Sequence, residues 1–100
     1  MDPERSDIQI ADVVEATAGR DLGKYFFVIK TENEYLLLVN GKDRTLEHPK
    51  RKKRKHVRKV LRPETRVAVK ISSGDKVLNS ELRRDLAFHV KEMQANNLGG

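Results

Sequence analysis

Apolar residues fall along the chain in short, separated groups. Ile8, Ile10, Val13 and Val14 lie within "DIQIADVVEAT", which runs to Ala18-Gly19 and reads as a first strand. "KYFFVIK" is rich in aromatic and β-branched residues and predicts a second. After the polar break "TENE", the run "YLLLV" from Tyr35 to Val39 predicts a third, buried on both faces or nearly so. Asn40-Gly41 is a hairpin signal, because both central residues of a type I′ turn need positive φ. The chain is expected to return through Lys42 to Glu47 as a short fourth strand, and "HVRKVL" gives a fifth. Five short strands joined by tight turns favour a mainly β small barrel, which leaves no open sheet edge.

Beyond Pro63 the period changes. "VAVKI" alternates, and on that ground Val67, Val69 and Ile71 would share one side of a strand. Against this, "RPET" is a helix start and "SSGD" a helix stop at Gly74, and we read a helix here. A second helix is predicted from Glu81 to about Asn96, capped by Asn79-Ser80. Leu82, Leu86, Val90 and Met93 make its apolar stripe, His89 falls on that stripe, and Phe88 points away from it. The expected organisation is a barrel over residues 1–62 and a helical extension over 63–100.

Charge sharpens the picture once it is divided along the chain. Met1 to Glu47 carries 6 basic and 10 acidic residues, His48 to Arg62 carries 9 basic and none acidic, and Pro63 to Gly100 carries 6 and 5. The partial sums of −4, +9 and +1 give the net +6, so the whole excess lies in one block. Pro49 leads into "KRKKRK", where like-charge repulsion favours an extended, mobile segment. The absence of cysteine excludes disulfides and thiolate chemistry. An acidic start and no long apolar run predict a soluble cytoplasmic protein without signal peptide or membrane span. No phosphate loop, nucleophile–base motif or paired carboxylates are visible, and the three histidines lack metal spacing. Neither an enzyme nor a metal or other cofactor is expected.

The loop between the first two strands carries a motif. "DVVEATAGRDLGKYFFVI" resembles the KOW motif, a strand–loop–strand unit of several ribosomal proteins and NusG-type transcription factors. The matching residues are Val13, Val14, Ala18, Gly19, Arg20, Asp21, Gly23, Lys24, Phe27 and Val28. "LLLVNGKDRTLEHPKRKKRKHV" continues the pattern with an apolar strand, an Asn-Gly-Lys turn and a Pro-led basic run before a histidine, and "SGDKVLNSELRRDL" matches further. The chain is thus similar, over roughly Ile10 to Leu86, to small bacterial KOW-domain RNA-binding proteins related to a large-subunit ribosomal protein family. Two positions depart: Ala11 stands where many relatives have Gly, and Leu22 where Lys or Arg is frequent.

That resemblance implies an SH3-like five-stranded barrel whose loops grip RNA, usually ribosomal RNA. The residue chemistry agrees. Gly19 and Gly23 shape the turn, Asp21 braces it by bonding local backbone, and Arg20 and Lys24 reach phosphates. Lys42 and Arg44 lie beside them, and Lys50, Arg51, Lys52, Lys53, Arg54 and Lys55, continuing to Arg58, Lys59 and Arg62, form the main phosphate-binding run. Composition does not separate RNA from DNA; the resemblance selects RNA. Tyr25, Phe26, Phe27 and Tyr35 are either base-stacking or packing residues, with Phe27 assigned to the core. The expected partner is RNA bound by a monomer. The alternative is a protein-interaction module of the transcription or translation machinery, using the barrel and C-terminal helix; a weaker one is adhesion to acidic lipid.

Overall fold

The computed structural model describes residues 7–99. The five strands are β1 (Val13–Ala16), β2 (Tyr25–Glu32), β3 (Tyr35–Val39), β4 (Lys50–Lys53) and β5 (Val57–Leu61). A single 3-10 turn, Arg54–His56, joins β4 to β5, and two helices follow, α1 (Arg66–Ser73) and α2 (Asn79–Gly99). All strand pairs are antiparallel, in the order β4-β3-β2-β1-β5. The acidic start from Met1 to Ser6 lies outside the described residues.

Alternation along the strands divides the apolar residues between two faces. One face gathers Val14, Ala16, Phe26, Val28, Leu36, Leu38 and Val57, with Ile8 folded over them. The other presents Val13, Phe27 and Val39 to Leu82 and Leu86 of α2. Val67 and Ile71 of α1 pack on the same cluster. A sheet apolar on both faces needs two covers, and here the second cover is helical.

Several expectations are corrected. β1 is only four residues long, because Ala11 takes φ 77 and turns the chain before it. Ile8 is nevertheless buried, whereas Ile10 is 40% exposed. β3 buries Leu36 and Leu38 but leaves Tyr35 and Leu37 half-buried, so its unbroken apolar run does not mean two fully buried faces.

No type I′ hairpin forms at Asn40-Gly41, and Lys42 to Glu47 is not the fourth strand. Asn40 instead folds the backbone over its own side chain, its Oδ1 accepting from the amides of Lys42 and Arg44, both at 3.0 Å. Within this loop Thr45 and His48 form an isolated bridge. The fourth strand is the basic run itself, so Lys50–Lys53 is ordered rather than mobile.

Gly41 has φ 77, and a Cβ there would lie 2.2 Å from the Asn79 carbonyl oxygen. The glycine is required by the packing of the loop against α2, not by a hairpin.

The segment after Pro63 is helical. Thr65 Oγ1 accepts from the Ala68 amide at 3.3 Å, and Gly74 closes the C-terminus at φ 77. Val69, 54% exposed, points away while Val67 and Ile71 pack, a four-residue spacing that resolves the ambiguous alternation.

In α2 the expected cap is replaced. The Leu78 carbonyl accepts from the Glu81 and Leu82 amides, and Glu81 Oε1 accepts from the Leu78 amide at 3.0 Å, a reciprocal closure of the helix start. Asn79 is thereby released: its Oδ1 accepts from the Leu46 amide and its Nδ2 donates to Glu47. His89 is buried on the stripe, where its Nε2 lies 2.9 Å from Asp85 Oδ2. The same carboxylate accepts from the Thr65 hydroxyl at 2.8 Å, tying α2 to the cap of α1.

Candidate nucleic-acid interface

The glycine loop between β1 and β2 is closed at its base by paired backbone bonds between Ala16 and Gly23–Lys24. Gly19 and Gly23 have φ 81 and 87. Asp21 braces the loop, but not through its own backbone. Its carboxylate is buried and reaches Arg44 at 3.1 Å in the 40–49 loop. Lys24 Nζ donates to Asp43 Oδ2 at 2.6 Å and lies 3.7 Å from Asp21. The bonds from Lys24 and then Asn40 lower the Asp43 carboxyl to about 2, and Asp43 in turn raises Lys24. Arg44 and Lys24 therefore hold two loops together, and their charges are largely spent on one another's acids.

β4 joins the same assembly through its buried member. Lys52 is 7% exposed; its stem lies opposite Leu36, and its Nζ donates to the Ala18 carbonyl at 2.6 Å. A Cβ on Gly19 would meet that ammonium at 3.3 Å. Lys52 is thus a strut under the glycine loop and is removed from the phosphate-facing set.

The rest of the basic block is partitioned in the same way. Arg51 pairs with Glu32 at 3.0 Å. Arg54 donates to the carbonyls of Asn33 and Ile8. Arg58 bonds Glu15, its partner in the β1–β5 register. Lys59 meets Asp7 at 2.8 Å and Asp12 at 3.6 Å. Arg62 meets Asp12 at 2.9 Å, and that bond raises the guanidinium further. Asp7 is lowered, chiefly by its hydrogen bond from Lys59. Six of the nine cations from His48 to Arg62 thus hold acids or carbonyls of the same fold: Arg51, Lys52, Arg54, Arg58, Lys59 and Arg62. The acids are those of the first half of the chain, so the sequence's charge asymmetry is largely cancelled across strands.

What remains outward is smaller and better defined. Arg20, Lys42 and Lys55 are exposed, and Lys50 and Lys53 half-buried. Among the described residues none of these five has an acidic group within ion-pair distance. Arg20, Lys42 and Lys50 sit on the glycine loop, the 40–49 loop and the start of β4, the three elements locked together by the Asp21–Arg44, Lys24–Asp43 and Lys52–Ala18 bonds. Leu22, at 66% exposure, occupies the same loop.

Sequence reasoning left Lys30 out of this surface and left the role of Tyr35 open. The antiparallel register sets Lys30, Leu37 and Arg51 in one row across β2, β3 and β4, and Glu32, Tyr35 and Lys53 in the next. The Arg51 guanidinium carbon lies 3.6 Å from the Tyr35 ring centroid. Their proximity follows from the pairing of β4 with β3, which an extended, mobile basic segment would not have.

Comparison of the sequence with protein-family models and with curated proteins gave no match. No metal-binding cluster of His, Cys, Asp or Glu is present among the described residues, and no described helix is long and apolar enough to cross a membrane.

Proposed function

We propose that the protein binds RNA, ribosomal RNA above all, in the cytoplasm, through phosphate contacts of a KOW-type loop and the unpaired cations beside it. The observation that carries this reading is the locked assembly of the glycine loop, the 40–49 loop and β4. It spends acids and cations on one another internally and leaves exposed Arg20 and Lys42 and half-buried Lys50 without acidic partners among the described residues. Rigid placement lowers the ordering cost of binding, and cations free of internal partners release phosphate counterions at full effect.

The matching architecture is an SH3-like barrel. β4 and β5 end the hydrogen-bonded order, yet Lys53 and Val57 are joined by three residues. Four chain steps reach at most about 14 Å, whereas the outer strands of a flat five-stranded sheet would lie about 19 Å apart. The sheet has to coil at this end, which supports closure.

The test is anisotropy titration of a labelled ribosomal RNA fragment at several salt concentrations. With Arg20, Lys42, Lys50, Lys53 and Lys55 each meeting a phosphate, log affinity against log salt should fall with a slope of about −3.5. The combined change Arg20→Ala, Lys42→Ala and Lys50→Ala should flatten that slope by about 2 units and leave the melting temperature unchanged. A salt-independent affinity, or no binding in dilute buffer by folded protein, contradicts the reading.

A second reading, a protein-interaction module, is favoured by a groove of about 620 Å³ between α2 and the 40–43 loop. Tyr25, Leu86, Ala87 and Val90 form its apolar lining. Partners retained by the immobilised protein after ribonuclease treatment would favour it.

A further inference from the structure

We infer that the outer face of β3 and β4 is a stacking platform for unpaired RNA bases, centred on Tyr35. This rests on the RNA reading and adds to it the kind of RNA recognised. Tyr35 and Leu37 project from the face opposite Leu36 and Leu38, and neither belongs to a core cluster. The helices pack elsewhere, over Val13, Phe27 and Val39, so among the described residues no helix covers half-buried Tyr35 and Leu37.

The ring is prepared for stacking. Glu32 accepts from Arg51 Nε at 3.0 Å, and the guanidinium carbon stands 3.6 Å from the Tyr35 centroid. One ring face thus carries a fixed cation, and a base can stack on the guanidinium plane or on the other face of the ring. Lys53 Nζ is 6.0 Å from the same centroid, and Lys30 stands in the neighbouring row. Lys30, Arg51 and Lys53 against Glu32 leave a net charge of +2 around one aromatic ring. That pairing of a π surface with flanking cations matches the needs of a single strand, whose bases are splayed and whose phosphates run alongside. A double helix offers its phosphates but not its base faces, so it would use the loops and not this platform.

Binding of labelled twelve-nucleotide oligo(U) is compared with that of a twelve-base-pair RNA duplex, using native protein and Tyr35→Leu. The substitution should weaken the single strand about tenfold and change duplex affinity less than twofold. A change below twofold on the single strand overturns the inference, as does an equal loss on both RNAs. Should Tyr35→Leu not fold, Tyr25→Phe supplies a second measurement. It leaves Tyr35 as the sole tyrosine in a chain without tryptophan, and oligo(U) should quench its emission at saturation; unchanged emission in the bound state refutes the platform. Binding of polyglutamate in place of oligo(U) at the same salt also refutes it and indicates a protein partner. If native protein bound neither RNA, the RNA reading itself would fall, whereas binding that ignores Tyr35 removes only the platform.

Discussion

The ammonium of Lys52 donates to the carbonyl of Ala18 at 2.6 Å from a position only 7% exposed. A lysine from the most basic stretch of the chain thus supports the glycine loop from beneath. Lys52→Ala should destabilise the fold by about 2–3 kcal/mol, through lost stem packing and an orphaned carbonyl. Lys52→Met keeps the stem and should recover about half of that in urea unfolding. Equal stability of Lys52→Ala and the native protein would show that the strut does nothing.

Two glycines with similar backbone angles should respond differently to alanine. Gly41 and Gly23 have φ 77 and 87, but a Cβ on Gly41 would sit 2.2 Å from the Asn79 carbonyl, and one on Gly23 would meet nothing within 4 Å. Gly23→Ala bears only the left-handed penalty, about 1 kcal/mol. Gly41→Ala adds a backbone collision and should cost about 3 kcal/mol or more. Equal losses on chemical denaturation would mean that α2 does not press on the 40–43 loop.

Ala11 is the one non-glycine residue with positive φ among those described. Its amide donates to the Val28 carbonyl at 2.7 Å, which fixes the turn into β1. Ala11→Gly should relieve the strain and raise stability by about 0.5–1 kcal/mol, net of the greater freedom of the unfolded chain. A lower melting temperature would mean that the buried methyl contributes more than the strain costs.

Acid should weaken the bonds that join the loops. Asp43 titrates near 2 in the folded protein against a model-peptide value of 3.8. Its contribution is therefore complete above about pH 5 and is lost as pH falls towards 2. Asp7, Glu47 and Glu81 are shifted downward too, by bonds from Lys59, Asn79 and Lys70. Melting temperature should fall between pH 5 and 2, and less steeply in Asp43→Asn. Identical pH profiles for the two proteins would remove Asp43 from this account.

The local instructions were legible in the sequence. β3 falls where the apolar run "YLLLV" puts it and β5 within "HVRKVL", and Thr65 and Gly74 mark the limits of α1. The apolar stripe of α2 identified Leu82 and Leu86 as core. Misreadings arose where a remote neighbour decides the conformation. Asn40-Gly41 looks like a hairpin turn, but the Asn40 side chain and the pressure of α2 on Gly41 make it a wide loop. Asn79 looks like a cap, but the 40–49 loop takes its side chain and Leu78 with Glu81 closes the helix.

By itself the sequence determined which residues are apolar, where the chain turns, and that its acids and cations lie in separate blocks. Only the tertiary structure decided what the charges do. Antiparallel pairing sets β5 beside β1, and Lys52 ties β4 to the glycine loop, so distant acids and carbonyls meet most of the basic block. Net charge is a sum along the chain. Potential at a surface depends on which charges have neighbours, and strand register sets those neighbours.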